Sequence, residues 1–375
     1  MVFVNQVCGY LFIDVLNVFA TKYNCHLYTG KIIDEHPMLN KAVKINLLNQ
    51  YKCKNILQRL FSWLLFSFSA FIKLLFVTPN TQLFVVTNPP FNTFMAYCLF
   101  KLKGIKYHLL VYDVYPEALV THKLIRKNSF LNRLWTNYNF KIYHAAATII
   151  TISNAMAGQI LKYDAALNVH VIPNWANKIT FTSIVPTNPF IANHNLLNKF
   201  CVLYSGNMGA THHLECIISV AHELLPKQNI QFLFVGHGPQ KRSLIDICNR
   251  KKITNCLFIP YQPVHLFPYT LQAAAIGIVS TAPGIQDLSL PSKTYNLLAA
   301  GKALLVIASP NSELAKLVEE QNCGRHFEPT QILSIQNYIK LLSTDAQLLN
   351  FYRSNALLAA KKFTSQNAFQ YLNLI

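Results

Sequence analysis

Short apolar runs ending in turn residues recur along this chain, and helix-patterned stretches separate them. Val2–Gln6, Cys25–Gly30, Gln82–Pro90, Ala147–Ser153 and His170–Ala176 read as strands in the first half, and KYHLLVYDV adds another. The second half repeats the pattern with FCVLYSGNMG, IQFLFVGHGP, CLFIPYQPV, AAIGIVST and ALLVIA. Runs without polar alternation suit strands buried on both faces. Strands alternating with helices build parallel, doubly wound sheets, so the fold class is α/β. Ligands in such sheets bind beyond the carboxyl ends of the strands.

A chain of 375 residues has room for two such sheets, each with its own core. Periodicity fails over residues 176–199, where Pro, Asn and Thr are frequent, as in a connection. The expected organisation is a first domain over 1–177, a linker over 178–199 and a second domain over 200–375. The tail Ile332–Ile375 is helical in pattern and has neither glycine nor proline; its last helix can pack back on the first domain.

Charged residues make up only 13% of the chain, against about 25% in ordinary soluble proteins. Hydrophobic residues reach 52% and the net charge is +18. The positive charge is concentrated before residue 200, where 19 basic residues face 6 acidic ones. A greasy, basic first half points to a peripheral role at an anionic membrane surface, and away from nucleic acid. The nine cysteines form no Cys-x-x-Cys pair, as expected of reduced thiols in the cytoplasm. No cleavable leader is read at MVFVNQVCGYLF. His212-His213 has no ligands at metal spacing, so no metal site is expected.

Residues 60–77, LFSWLLFSFSAFIKLLFV, are apolar except for a narrow stripe continuing Arg59 through Ser62, Ser69 and Lys73. Three readings fit: a buried crossover helix, a helix lying in a membrane interface, or a short span. Residues 31–50 resist placement.

Candidate site residues cluster at strand ends. Asp113 and Glu117 follow the strand YHLLV in a chain with few acidic residues; they suit a cleft, or are surface carboxylates of a loop. Asn5, Gln6 and Gly9 follow the first strand. Gly206, Asn207 and Gly209 form one glycine loop, and Gly236 and Gly238 another, each able to approach a phosphate or to be a tight turn. In Leu288–Ser309 a helix starts near Pro291, with Ser292, Lys293 and Asn296 in its first turns, and ends at Gly301. Free N–H groups and an ammonium there suit a phosphate; an ordinary crossover helix with a solvated lysine fits the same residues.

YSGNMG, FLFVGHGP and LPSKTYNLLAAGKALLV, in this order and spacing, resemble family 4 of the retaining glycosyltransferases. The bacterial subgroup that builds capsule, O-antigen or colanic acid is the most similar, and VYDVYPEALV and VIPNWAN in the first half fit it. The resemblance implies a GT-B fold: two Rossmann-like domains facing across a cleft, with the nucleotide-sugar donor in the second and the acceptor mainly in the first. It implies metal-independent transfer, without a cofactor, from a nucleotide sugar, UDP-linked as the expectation, to a lipid-linked or saccharide acceptor. Gly206, Asn207, Gly209, Gly236, Ser292, Lys293 and Asn296 then belong to the donor side, and Asn5, Gln6 and Gly9 to the acceptor side. Asn296 falls where relatives often carry the second carboxylate of a Glu-x7-Glu pair. Asp113, with Glu117 as second choice, would orient the acceptor hydroxyl or stabilise positive charge on the sugar. A nucleotide-sugar epimerase on the same fold, or a non-catalytic nucleotide-sugar-binding relative, are the alternatives.

Overall fold

The computed structural model describes residues 1–33, 38–52, 55–121, 123–177, 188–209, 212–281 and 291–375. Two compact units divide the chain. The first comprises Met1–Asn174 together with the terminal residues Ser365–Ile375; the second is built from the described residues between Trp175 and Thr364.

The main sheet of the first unit has seven parallel strands. In chain order they are β1 (Val2–Val4), β3 (His26–Thr29), β5 (Lys44–Leu47), β6 (Leu83–Val86), β7 (Tyr107–Val111), β8 (Thr148–Thr151) and β9 (Val169–Val171). A separate two-residue pair, β2 (Val7–Cys8) with β4 (Lys31–Ile32), lies just past the ends of β1 and β3. The spatial order is β5-β3-β1-β6-β7-β8-β9. Val2 pairs with His26 on one side and with Leu83 on the other, so the winding reverses at β1 and β6. That reversal opens a crevice at the carboxyl edge.

The second unit holds six parallel strands: β10 (Phe200–Ser205), β11 (Ile230–Val235), β12 (Cys256–Ile259), β13 (Ile276–Ser280), β14 (Ala303–Ile307) and β15 (Gly324–Phe327). Their order is β12-β11-β10-β13-β14-β15, with the reversal at β10 and β13. Every residue of β13 and β14 is buried, as the runs IGIVS and ALLVI require. Of the expected linker, residues 178–187 lie outside the described residues. Residues 188–199 belong to the second unit, where Asn188 caps the short helix Pro189–Asn193 and Phe190 and Leu196 enter the core. The tail forms the helices Ile332–Thr344, Ala346–Ala360 and Ala368–Asn373. The last of these packs on the helix Tyr10–Phe19 of the first unit, with Tyr371 against Phe84.

The helix Ile56–Leu74 crosses from β5 to β6. Asn55 caps it by accepting from the Gln58 N–H at 2.8 Å, and the Lys103 ammonium donates to the carbonyls of Leu75 and Val77 at its far end. Trp63, Phe66, Ala70 and Leu74 are buried. Ser67 is buried too and donates to Asn92 at 2.8 Å, which in turn donates to the Val86 carbonyl. The helix is therefore an element of the first unit's core, although it is long and apolar enough to cross a membrane. Its outer face is also apolar: Leu57, Phe61, Leu64, Phe68 and Ile72 are exposed. The stripe of Arg59, Ser62, Ser69 and Lys73 is not a water-facing side, because Ser62 is buried and Ser69 donates to Asn49. None of the eight described cysteines forms a disulfide.

Phe66 and Phe68 separate the two faces. Phe66→Ala should lower the free energy of urea unfolding by about 3–5 kcal/mol. Phe68→Ala should change it by no more than about 0.5 kcal/mol. Equal losses would mean that the helix is turned differently.

Candidate functional site

In the second unit, β10 delivers the chain into Gly206-Asn207-Met208-Gly209 and β11 into Gly236-His237-Gly238. The two loops interlock. Met208 donates its N–H to the His237 carbonyl at 2.7 Å, and Gln240 donates to the Met208 carbonyl at 3.1 Å. A Cβ on Gly236 would lie 2.0 Å from the Gly206 carbonyl oxygen, and one on Gly238 would lie 2.5 Å from the Met208 backbone. Only glycine permits this approach, and both positions also have φ near +145°. The second glycine loop is thus more than a turn, for it fixes the first.

Lys293 opens the helix Lys293–Ala299 and reaches the same loop. Its Nζ donates to the Tyr204 hydroxyl at 2.9 Å and lies 4.0 Å from the centre of that ring. The Tyr204 hydroxyl donates to the Asn207 carbonyl, so ammonium, phenol and loop form one chain. A Cβ on Gly206 would sit 3.2 Å from Lys293 Nζ. No ion pair joins Lys293 among the described residues. Burial without a carboxylate pushes its pKa down to about 7. His212 stands beside it, hydrogen-bonded to the Gly209 N–H at 3.0 Å. Burial, with the nearby Lys293 charge, pushes His212 down to about 4. This corner offers an ammonium and N–H donors, and no carboxylate joins it among the described residues.

The other donor-side residues divide. Ser292 and Asn207 are exposed beside this corner, and Gly209 is buried within it. The helix after Ser292 has only seven residues, so the lysine carries more of the charge than the helix dipole does. Asn296 is half-buried, and its Oδ1 accepts from the Asn177 N–H at 2.9 Å. Leu288 and its neighbours 282–290 lie outside the described residues.

In the first unit, the ends of β1, β6 and β7 surround a cavity of about 710 Å³. Asn5 and Gln6 line it from β1, Asn88 from β6, and Asp113 from β7. Asn88 Nδ2 donates to Asp113 Oδ2 at 3.4 Å. The protein crowded around Asp113 raises its carboxyl to about 6 by desolvation. Gln6 also ties the cavity wall together, donating to the Ser62 carbonyl at 3.0 Å. Gly9 does not line the cavity; it begins the helix Tyr10–Phe19, its carbonyl accepting from Phe12 and Ile13.

Glu117 is not brought to Asp113's cavity either. Its Oε1 accepts from the Tyr163 hydroxyl at 2.9 Å, and Asn139 donates to the same hydroxyl. Desolvation raises its pKa, and the carboxylate braces the loop from behind. Tyr51, Arg59, Trp63 and Asn88 in the cavity, and Tyr204 and His212 in the second unit, are not among the residues that the sequence singles out for a site. Arg59, on the stripe of the apolar helix, was the one legible signal among the first four. Among the described residues no three His, Cys, Asp or Glu side chains gather as a metal site requires.

Residues 188–358 match the family model of glycosyl transferases group 1. This match covers 171 of the 375 residues and lies in the second half of the chain. The chain is 28% identical over 243 residues to WbjE of Pseudomonas aeruginosa, named as a glycosyltransferase, covering 63% of this chain and 59% of the relative. It is 30% identical over 227 residues to WcaI of Escherichia coli K12, named for colanic acid biosynthesis, covering 59% and 56%. The matched stretch therefore spans less than two thirds of either relative. Among solved structures, sucrose-phosphate synthase of Thermosynechococcus elongatus superposes with a TM-score of 0.77 at 14% identity, over 100% of this chain and 97% of that one. Anabaena HepE in complex with UDP and glucose gives 0.74 at 14% identity, over 99% and 97%. These likenesses carry the fold, which is GT-B. The interlocked glycine loops and Lys293 all lie inside the group 1 domain.

An ammonium that loses its proton near pH 7 in the folded chain keeps it to about pH 10.4 when unfolded. Between those values the unfolded state binds the extra proton, so stability rises with pH. Urea unfolding at pH 7 and pH 9 should show a smaller gain for Lys293→Met than for the wild type. An equal gain would place the lysine in solvent.

Proposed function

We propose that this protein is a retaining glycosyltransferase that moves a sugar from a nucleoside diphosphate donor, UDP-linked in our reading, to a lipid-linked or saccharide acceptor in surface polysaccharide biosynthesis. The observation that carries this reading is the Lys293 corner: a half-buried ammonium with no ion pair among the described residues, fixed by Tyr204 against two interlocked glycine loops. A diphosphate leaving group supplies the missing anion, and bound anion restores the proton to Lys293. Loop N–H groups and Lys293 meet the charge that develops on the leaving oxygen, so no metal and no cofactor is invoked. The named role of WcaI in colanic acid biosynthesis and the UDP held by HepE support the donor and the pathway class. Ser292 and Asn207, exposed at the corner, are available to the donor's phosphates.

The first unit takes the acceptor. Asp113 faces the cavity with a carboxyl that titrates near 6; ionised, it orients the acceptor hydroxyl and accepts its hydrogen bond. Asn5, Gln6 and Asn88 supply amide groups along the same wall. The exposed apolar face of the helix Ile56–Leu74, with a basic first half of the chain, suits peripheral attachment to the inner, anionic face of the cytoplasmic membrane.

Thermal unfolding with UDP, GDP, ADP and dTDP tests the donor site. UDP at 100 times its Kd should stabilise the wild type by about 2.7 kcal/mol and raise its Tm; Lys293→Ala should lose most of that shift. The shift should persist in EDTA. No shift with any diphosphate, or one unchanged in the variant, contradicts the assignment.

Transfer measured against pH tests Asp113. The carboxylate form is the active one, so kcat/KM should fall as pH drops below about 6. Asp113→Asn should lower kcat by about 10²–10⁴-fold without weakening UDP binding. Activity within a few-fold of the wild type would remove Asp113 from the mechanism.

A further inference from the structure

The first unit has a second hollow. A groove of about 510 Å³ runs between the start of the helix Ile56–Leu74 and the helix Phe130–Ala145. Leu60, Leu64, Phe94, Leu134 and Trp135 form its walls, and Arg59 is the one charged residue among its described lining. The volume falls within the roughly 300–1,000 Å³ of small-molecule sites. The groove is continuous with the polar cavity: Ile56, Arg59, Leu119 and Leu124 line both. One end of this combined space therefore holds Asp113, Asn5 and Gln6, and the other is hydrocarbon.

Arg59 marks the seam. Its guanidinium carbon lies 5.0 Å from the centre of the Trp63 ring, and its buried Nε has no hydrogen-bond partner. A cationic donor without an acceptor, at the junction of an apolar trough and a polar cavity, matches a phosphate that joins a hydrocarbon chain to a polar head. The groove is open to its surroundings. Leu64 and Leu131 on its wall remain 50% and 51% exposed, an unusual amount of apolar surface to leave uncovered. The exposed Lys123, Arg126, Lys127 and Arg133 flank the same wall, and no acidic residue occurs from 118 to 145. That charge favours an anionic lipid at the mouth.

We propose that this groove holds the hydrocarbon chain of a lipid phosphate acceptor, with Arg59 on its phosphate and the group to be glycosylated in the polar cavity beside Asp113. This rests on the first unit being the acceptor side. A polyisoprenoid chain fits the aromatic and leucine lining. Each buried methylene is worth roughly a fourfold gain in affinity, so binding should strengthen with chain length until the groove is full.

The test is tryptophan fluorescence of the full chain, in which Trp63 and Trp135 border the two hollows. The probes are geranyl diphosphate, farnesyl diphosphate, farnesol and inorganic pyrophosphate, all below their aggregation limits. Farnesyl diphosphate should bind at least tenfold tighter than geranyl diphosphate, and pyrophosphate should not bind there. Arg59→Gln should weaken farnesyl diphosphate at least tenfold and leave farnesol unchanged. Leu64→Glu with Leu134→Glu should abolish both, whereas Phe61→Glu with Phe68→Glu, on the outer face of the same helix, should abolish neither. A retained UDP thermal shift certifies that each variant is folded. If UDP binds but farnesyl diphosphate leaves the fluorescence unchanged, the groove proposal is overturned and the donor reading stands. If farnesyl diphosphate binds as described but no nucleotide does, the groove stands and the transferase reading falls. If the wall variants lose only binding to anionic phosphatidylglycerol vesicles, the groove is a membrane-insertion surface and the proposal is overturned.

Discussion

A half-buried ammonium with no carboxylate partner among the described residues is the constraint on which the second unit's site depends. Lys293 hydrogen-bonds a phenol, and the phenol hydrogen-bonds the loop that follows β10. The second turn can approach that loop only because Gly236 and Gly238 have no side chains where the two meet. Natural chains avoid burying an unpaired charge, since desolvation disfavours it strongly. Here burial lowers the lysine pKa, and on the proposed reading a bound diphosphate would restore its proton. Stability and ligand affinity are thus opposed at one residue, as expected where binding energy is held in reserve for a charged ligand.

The first unit solves a different problem. Its helix Ile56–Leu74 is apolar on the face that enters the core and on the face that does not. The inner face is specified by Trp63, Phe66 and Ala70 and by the Ser67–Asn92 link. The outer face has no protein covering among the described residues. Gln6 binds the carbonyl of Ser62, so the same helix that carries this surface also closes the cavity at the end of β1. On the proposed reading, membrane contact and acceptor binding share one structural element.

The strands were legible because both faces of most of them are buried, which turns each into an unbroken apolar run such as LFVV or ALLVI. The segment 31–50 was opaque for the opposite reason. Its strands are a two-residue piece, Lys31–Ile32, and the edge strand Lys44–Leu47, whose residues are largely exposed and carry little apolar pattern. The cluster of Gly206, Gly209, Gly236 and Lys293 could be read because glycine and lysine sit at strand and helix ends. Other parts could not. Glu117 follows Asp113 by four residues, yet a short helix, Glu117–Thr121, places it with Tyr163, a partner far away in sequence. Asn296 looked free for a ligand until the chain brought the Asn177 N–H to it. Arg59 stood out only as part of a narrow stripe on its helix, and the structure sets it over Trp63 at the cavity wall.

The central claim is that Lys293 gains a proton when a nucleoside diphosphate arrives. Calorimetric titration of UDP at pH 8, in buffers of different ionisation enthalpy, measures this directly. At that pH the free lysine, titrating near 7, is mostly neutral and UDP's own phosphates are already ionised. The account predicts uptake of close to one proton per UDP bound, and none in Lys293→Met. UDP binding with no proton uptake in the wild type would contradict it.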